Sequence, residues 1–341
     1  MVYLCSQRIV SVLVSGRSYV HRPRYWHSQT SLQSLDSRAT QYGVDGIVDD
    51  GPYMTLERAI GDKAGTDNEA FQCGIFDGCV YPDLPLVGSS MADGIESCIM
   101  SQVQETVREG HHGNKALWVS RTVAAQCLDE THIDEKILRS GNLFRASSQK
   151  KVRGALLCVS GADPSRRLPF VQETVKDGVH ILKRARYMRS QGDIPDSVAL
   201  WTVGNPMQDS VGSVHRKVDA GAQVILTQPP FFRRASESWF QALEDVPARI
   251  LAGVPIITSP RNLAFWCGLC GVDGSPEAEA LQRTFPVKSM TEREDIYEER
   301  VMQWNRQFIQ EYVVQLPAIS GIHVMPVTQT GLRLMQKIII P

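Results

Sequence analysis

The residues of this chain best equipped for chemistry stand where apolar runs give way to polar ones. Val224–Thr227 is a short apolar run that passes into Gln228 and is then fenced by Pro229 and Pro230. The Gln228 amide carries donors and an acceptor, so it can hold a ligand edge that presents both kinds of group. Just upstream, Arg216 and Lys217 place two adjacent fixed cations that can neutralise an anion. In Ser160-Gly161-Ala162-Asp163 a glycine lets a flat ligand approach the backbone, and Asp163 presents a carboxylate beside it. Asn205 precedes Pro206 in the manner of a turn. The carboxyl ends of parallel strands are where α/β proteins bind ligands, so these residues define candidate sites if the runs before them are strands.

The elements needed to position them are legible. Strand-like apolar runs at Leu117–Val123, Ala155–Ser160, Val198–Val203, Val224–Thr227, Ile250–Ile257 and Ile322–Val327 alternate with helical patterns, and Val44–Val48 and Ile75–Val80 precede them. Val179–Arg189, Asn262–Leu269 and Arg293–Val314 carry apolar residues at three- and four-residue spacing, which predicts helices. Ser259-Pro260 reads as an N-cap and first helical residue. Asp273–Val287 reads as a loop. Eight strand–helix units predict a (β/α)8 TIM barrel, with an open doubly wound sheet as the competing arrangement.

The chain has 341 residues, 43% of them hydrophobic and 21% charged, with a net charge of −1. That length supports a large core, and the near-neutral balance argues against nucleic acid as a partner. No apolar run approaches the roughly 18–20 residues that cross a bilayer. Residues 1–35 differ: Arg8, Arg17, Arg22 and Arg24 lie among serines, with no lysine and no acidic residue before Asp36. This composition suits an organellar targeting segment, mitochondrial in preference to plastid, followed by one barrel domain over residues 36–341. Eight cysteines scattered through the chain suit reduced thiols rather than a disulfide scaffold.

The stretch from Ser213 to Phe232 resembles the flavin-dependent methylenetetrahydrofolate reductase family. In that family Arg-Lys-Val-Asp-Ala-Gly-Ala leads into an apolar strand ending in Thr-Gln; here these are Arg216–Ala222 and Thr227-Gln228. Ser259–Trp266 is similar to a helix of a divergent branch, and Gly321-Ile322-His323 matches the family's last strand. The resemblance spans residues 116–329 and is densest over 198–268. It implies a barrel that holds FAD, takes hydride from NADH or NADPH and passes it to folate-bound methylene. It further implies that Gln228 positions the folate or nicotinamide and that Asp163 stabilises positive charge on the opened bridge. Arg216 and Lys217 would lie near the flavin diphosphate, Asn205 would place its backbone against the flavin ring, and Ser160 and Gly161 would line the cofactor.

The chain also departs from the family. Ser160 stands in place of an arginine, and Ala162 is interposed before Asp163. The family's first strand carries a glutamate as general acid; here Ile47-Val48-Asp49-Asp50-Gly51-Pro52 offers only Asp49 or Asp50, of which Asp49 is the candidate for that role. Pro326-Val327-Thr328-Gln329 replaces a segment whose arginine contacts folate. An alternative is therefore a catalytically degenerate barrel, serving as a structural subunit or a folate- or flavin-binding module. Either form leaves room for a homo-oligomer or a larger assembly. Cys267 and Cys270 imitate a thioredoxin motif, but they sit late in a helix, away from the helix N-terminus that would favour a thiolate. With no second such pair, no metal site is expected.

Overall fold

The computed structural model describes residues 51–58, 71, 75–82, 89–109, 116–125, 130–145, 151–160, 177–313 and 315–339. Eight strands form a closed barrel in chain order: β1 (Met54–Glu57), β2 (Gly78–Tyr81), β3 (Leu117–Ala124), β4 (Val152–Val159), β5 (Ala199–Gly204), β6 (Val224–Thr227), β7 (Arg249–Pro255) and β8 (Gly321–Met325). Every neighbouring pair is parallel, including β8 with β1. Among the described residues the helices are α1 (Ser89–Glu109), α2 (Glu130–Asn142), α3 (Gly178–Ser190), α4 (Val211–Asp219), α5 (Arg233–Gln241), α6 (Pro260–Leu269), α7 (Pro276–Thr284), α8 (Glu294–Phe308) and α9 (Gln329–Ile339). None is long and apolar enough to cross a membrane. The chain is a (β/α)8 TIM barrel.

Three expectations are corrected. The first strand is Met54–Glu57, which pairs with both β2 and β8 and so occupies the place assigned to Val44–Val48. Residues 44–48 lie outside the described residues. The stretch 273–287 contains α7, whose start obeys ordinary capping rules: the Ser275 hydroxyl accepts from Ala278 N at 3.1 Å, with Pro276 following it. The expected helix over 293–314 divides into α8 and a π-helical turn, Ile309–Val313. Ser259 caps α6 as its sequence predicts, accepting from Asn262 N at 3.1 Å.

Strand register orders the barrel interior. Because barrel strands tilt, inward side chains form layers drawn from alternate strands, each layer climbing along the register from strand to strand. Thr55, Ser120, Trp201 and Leu251 make one layer from the odd-numbered strands. Val80, Leu157, Leu226 and His323 make the next from the even-numbered strands, and Glu57, Thr122, Val203 and Gly253 the one above. Most of the apolar members of the lower two layers pack as one cluster, separate from the larger core between strands and helices. The opposite end of the barrel is plugged by two cation–π pairs, Arg249 over Tyr53 at 4.4 Å and Arg153 over Trp118 at 5.5 Å. The barrel thus has a closed floor and a mouth at the strands' carboxyl ends.

A surface clasp holds the last helix. Glu298 on α8 receives Lys337 and Arg333 of α9, the latter at 2.7 Å. The hydrogen bonds from Lys337 and then from Arg333 hold the Glu298 carboxyl below the ordinary carboxylate range. A carboxyl depressed by folding stabilises the native state above its unfolded value, about 4.3, and that contribution disappears as pH falls through the folded value. Glu298→Gln is expected to cost about 1 kcal/mol at neutral pH. The difference from the parent should vanish under acid, as read from urea midpoints across a pH series. An equal deficit at every pH would refute the clasp.

Candidate active site

Glu57 ends β1, and its side chain, 33% exposed, approaches the β8 imidazole: Glu57 Oε2 lies 3.7 Å from His323 Nε2. That is too long for a hydrogen bond and short enough for the carboxyl and the imidazole edge to interact electrostatically. The other imidazole nitrogen, Nδ1, is 2.9 Å from the Thr55 hydroxyl. His323 and Thr55 are both buried. The three residues belong to adjacent strands and successive layers, so barrel closure between β1 and β8 assembles them.

Gln228 directly follows β6, its backbone N–H bonding Gly204 O at 2.8 Å. Its alternation with Leu226 turns it toward the mouth, above the layer that holds Glu57. Its Oε1 is buried without a hydrogen-bond partner, an arrangement that costs about 1–3 kcal/mol unless a donor meets it. Gly253 shares the Glu57 layer and contributes no side chain, which lets β6 approach so closely that a Cβ there would overlap Thr227 O. Val159, Val203 and Met325 supply apolar walls at the same level or just above it. The mouth can therefore offer a ligand an acceptor, a carboxylate and an apolar rim.

The remaining sequence-predicted residues divide. Asp49, Gly161 and Asp163 lie outside the described residues. The Ser160 hydroxyl accepts from Gly178 N at 3.0 Å, which serves the start of α3. The Asn205 side chain is committed to local structure, accepting from Met207 N at 2.9 Å and donating to Cys270 O at 3.2 Å. Its backbone is committed as well: the N–H donates to Asp209 Oδ2 at 3.0 Å, and the carbonyl accepts from Gln208 N and Asp209 N. Lys217 is turned inward, with Nζ 2.8 Å from Val203 O and 3.1 Å from Asp209 Oδ2. Adjacent helical residues point about 100° apart, and Arg216 is exposed while Lys217 is buried. The basic pair is thus adjacent in sequence and separated in space.

Cys267 and Cys270 are both buried, and burial pushes the Cys270 thiol up to about 12 and raises that of Cys267. Burial likewise pushes Cys158 to about 12. These thiols are held neutral and so lack the thiolate that exchange chemistry needs. Among the described residues no group of histidine, cysteine and carboxylate side chains could hold a metal ion.

Glu57 and Thr55 were not among the residues singled out from sequence, and His323 entered only through its resemblance to a family strand. The available signal was the short buried run Met54-Thr55-Leu56, which passes into a carboxylate before Arg58.

Fold and mouth together define a TIM barrel with a carboxyl and an imidazole side by side near the carboxyl ends of its strands. No protein-family model matches the chain, and no curated protein matches it. Among solved structures it is similar to xylanase 10B from Thermotoga maritima, at 9% identity over 80% of this chain and 82% of that one, with a TM-score of 0.44. A mutant tryptophan synthase alpha-subunit from Pyrococcus furiosus gives 9% identity, 84% and 94% coverage and a TM-score of 0.41. An aldo-keto reductase from Bacillus halodurans gives 11%, 80%, 80% and 0.40. At such identities the likeness is one of fold alone.

Proposed function

We propose that this barrel is a flavin-dependent oxidoreductase of one-carbon metabolism, reducing methylenetetrahydrofolate to methyltetrahydrofolate with NAD(P)H. The observation that carries the reading is Glu57, a first-strand carboxylate at the mouth below the unpartnered amide oxygen of Gln228. It takes the general-acid role that the sequence reading had to assign to Asp49.

The residues present fit the ring end of a flavin. A flat ring suits the apolar walls of the mouth. The diphosphate finds no two-cation clamp in Arg216 and Lys217, since Lys217 is already paired with Asp209. FAD, when bound, would supply hydride. The chain's own work is positional and electrostatic. Gln228 orients the pterin edge, and the apolar rim excludes water. Glu57 gives its proton to the bridge nitrogen; the carbon–nitrogen bond breaks, its electron pair stays on that nitrogen, and the methylene carbon is left cationic as an iminium. Asp163 would offset that charge.

A second reading, the degenerate barrel, draws on the commitment of the Asn205 and Lys217 side chains to internal contacts. The visible absorption spectrum of the purified full chain separates the two. Oxidised-flavin bands, bleached by NADH or NADPH and restored by methylenetetrahydrofolate, support the reductase. A colourless protein that takes up no added FAD overturns it.

A further inference from the structure

The buried imidazole of His323 has a tautomer that its surroundings can fix. Once its proton has moved, the Glu57 carboxylate only accepts, so an Nε2 lone pair facing it would be repelled, whereas an Nε2–H would be attracted. With the proton on Nε2, the bare Nδ1 accepts, and the Thr55 hydroxyl 2.9 Å away donates to it. Thr55 then keeps lone pairs for donors of its own layer. That layer includes the Trp201 indole, a donor with no acceptor partner, and Ser120, whose hydroxyl is also unpartnered.

We propose that His323 is the positioning residue for Glu57. Anchored at Nδ1 by the Thr55 hydroxyl, it presents Nε2–H to the carboxylate that Glu57 becomes when its proton has moved to the bridge nitrogen. The partly exposed Glu57 regains a proton from solvent. This rests on the reading of Glu57 as the proton donor.

The test uses long-range nitrogen–proton NMR correlations on the full chain labelled at histidine nitrogens, with His323→Gln identifying the His323 signals. The expected result is a protonated Nε2 and an accepting Nδ1. Thr55→Val should move the Nδ1 signal and Glu57→Gln the Nε2 signal, with the other histidines unchanged as evidence of folding. A proton on Nδ1, or an Nε2 signal indifferent to Glu57→Gln in a folded protein, overturns the proposal. In turnover, His323→Leu should lower kcat about tenfold, a fraction of a full general-acid contribution, with KM unchanged. His323→Gln, which keeps an N–H, should recover most of it. A fall in both variants alike, or in KM alone, also overturns it. The NMR result needs no flavin, so a colourless protein would remove the reductase and leave the tautomer assignment standing.

Discussion

Glu57→Gln is expected to lower turnover by about 10²–10⁴-fold, the usual contribution of a positioned general acid. The substitution preserves shape and removes the transferable proton. Under the proposed reaction the two half-reactions respond differently. Reduction of the flavin by NAD(P)H requires no proton from Glu57 and should keep its rate. Reoxidation by methylenetetrahydrofolate, where the bridge opens, should carry the whole loss. Rapid-mixing absorbance measures the two separately. Gln228→Ala should instead act mainly on binding, because it deletes an orienting contact made before and during the reaction. If Glu57→Gln left reoxidation unchanged, the proton would have to come from elsewhere, and the β1 carboxylate would lose its role.

The placement of Glu57 explains which parts of this site could be read from sequence. β6 was legible because Val224–Thr227 is a continuous apolar run between Gly221 and Pro229, the pattern of a strand buried on both faces. β1 was not, because a four-residue strand that carries Thr55 and Glu57 on its inward face has little apolar signal. The β-branched residues at 44–48 gave a stronger pattern there. Closure brings Thr55 to His323 across 268 residues of sequence, and no local periodicity encodes that meeting. The opposite error came from adjacency. Arg216 and Lys217 invite a joint role, yet helical geometry assigns one to solvent and the other to the end of β5. Asn205 shows how an amide at a strand end can be consumed by its own turn.

The barrel's tolerance of side chains at the mouth provides the largest expected stability effect. A Cβ built on Gly253 would overlap the backbone carbonyl oxygen of Thr227 and come within 2.9 Å of Met325 Cε. Backbone of a neighbouring strand cannot swing aside as a long side chain can, so β6 and β7 would have to separate where Gln228 is held. Gly253→Ala is therefore expected to cost about 3 kcal/mol, the upper part of the range for overpacked cores. Gly94 supplies the control. It lies exposed within α1, with nothing within 4 Å of a built Cβ. Gly94→Ala should stabilise by about 0.5–1 kcal/mol, because alanine gives up less backbone freedom on folding. Denaturant unfolding of both variants checks the pair. A Gly253→Ala protein within 1 kcal/mol of the parent would mean that the strands part easily there, and the mouth would then be too loose to hold Gln228 and Glu57 in register.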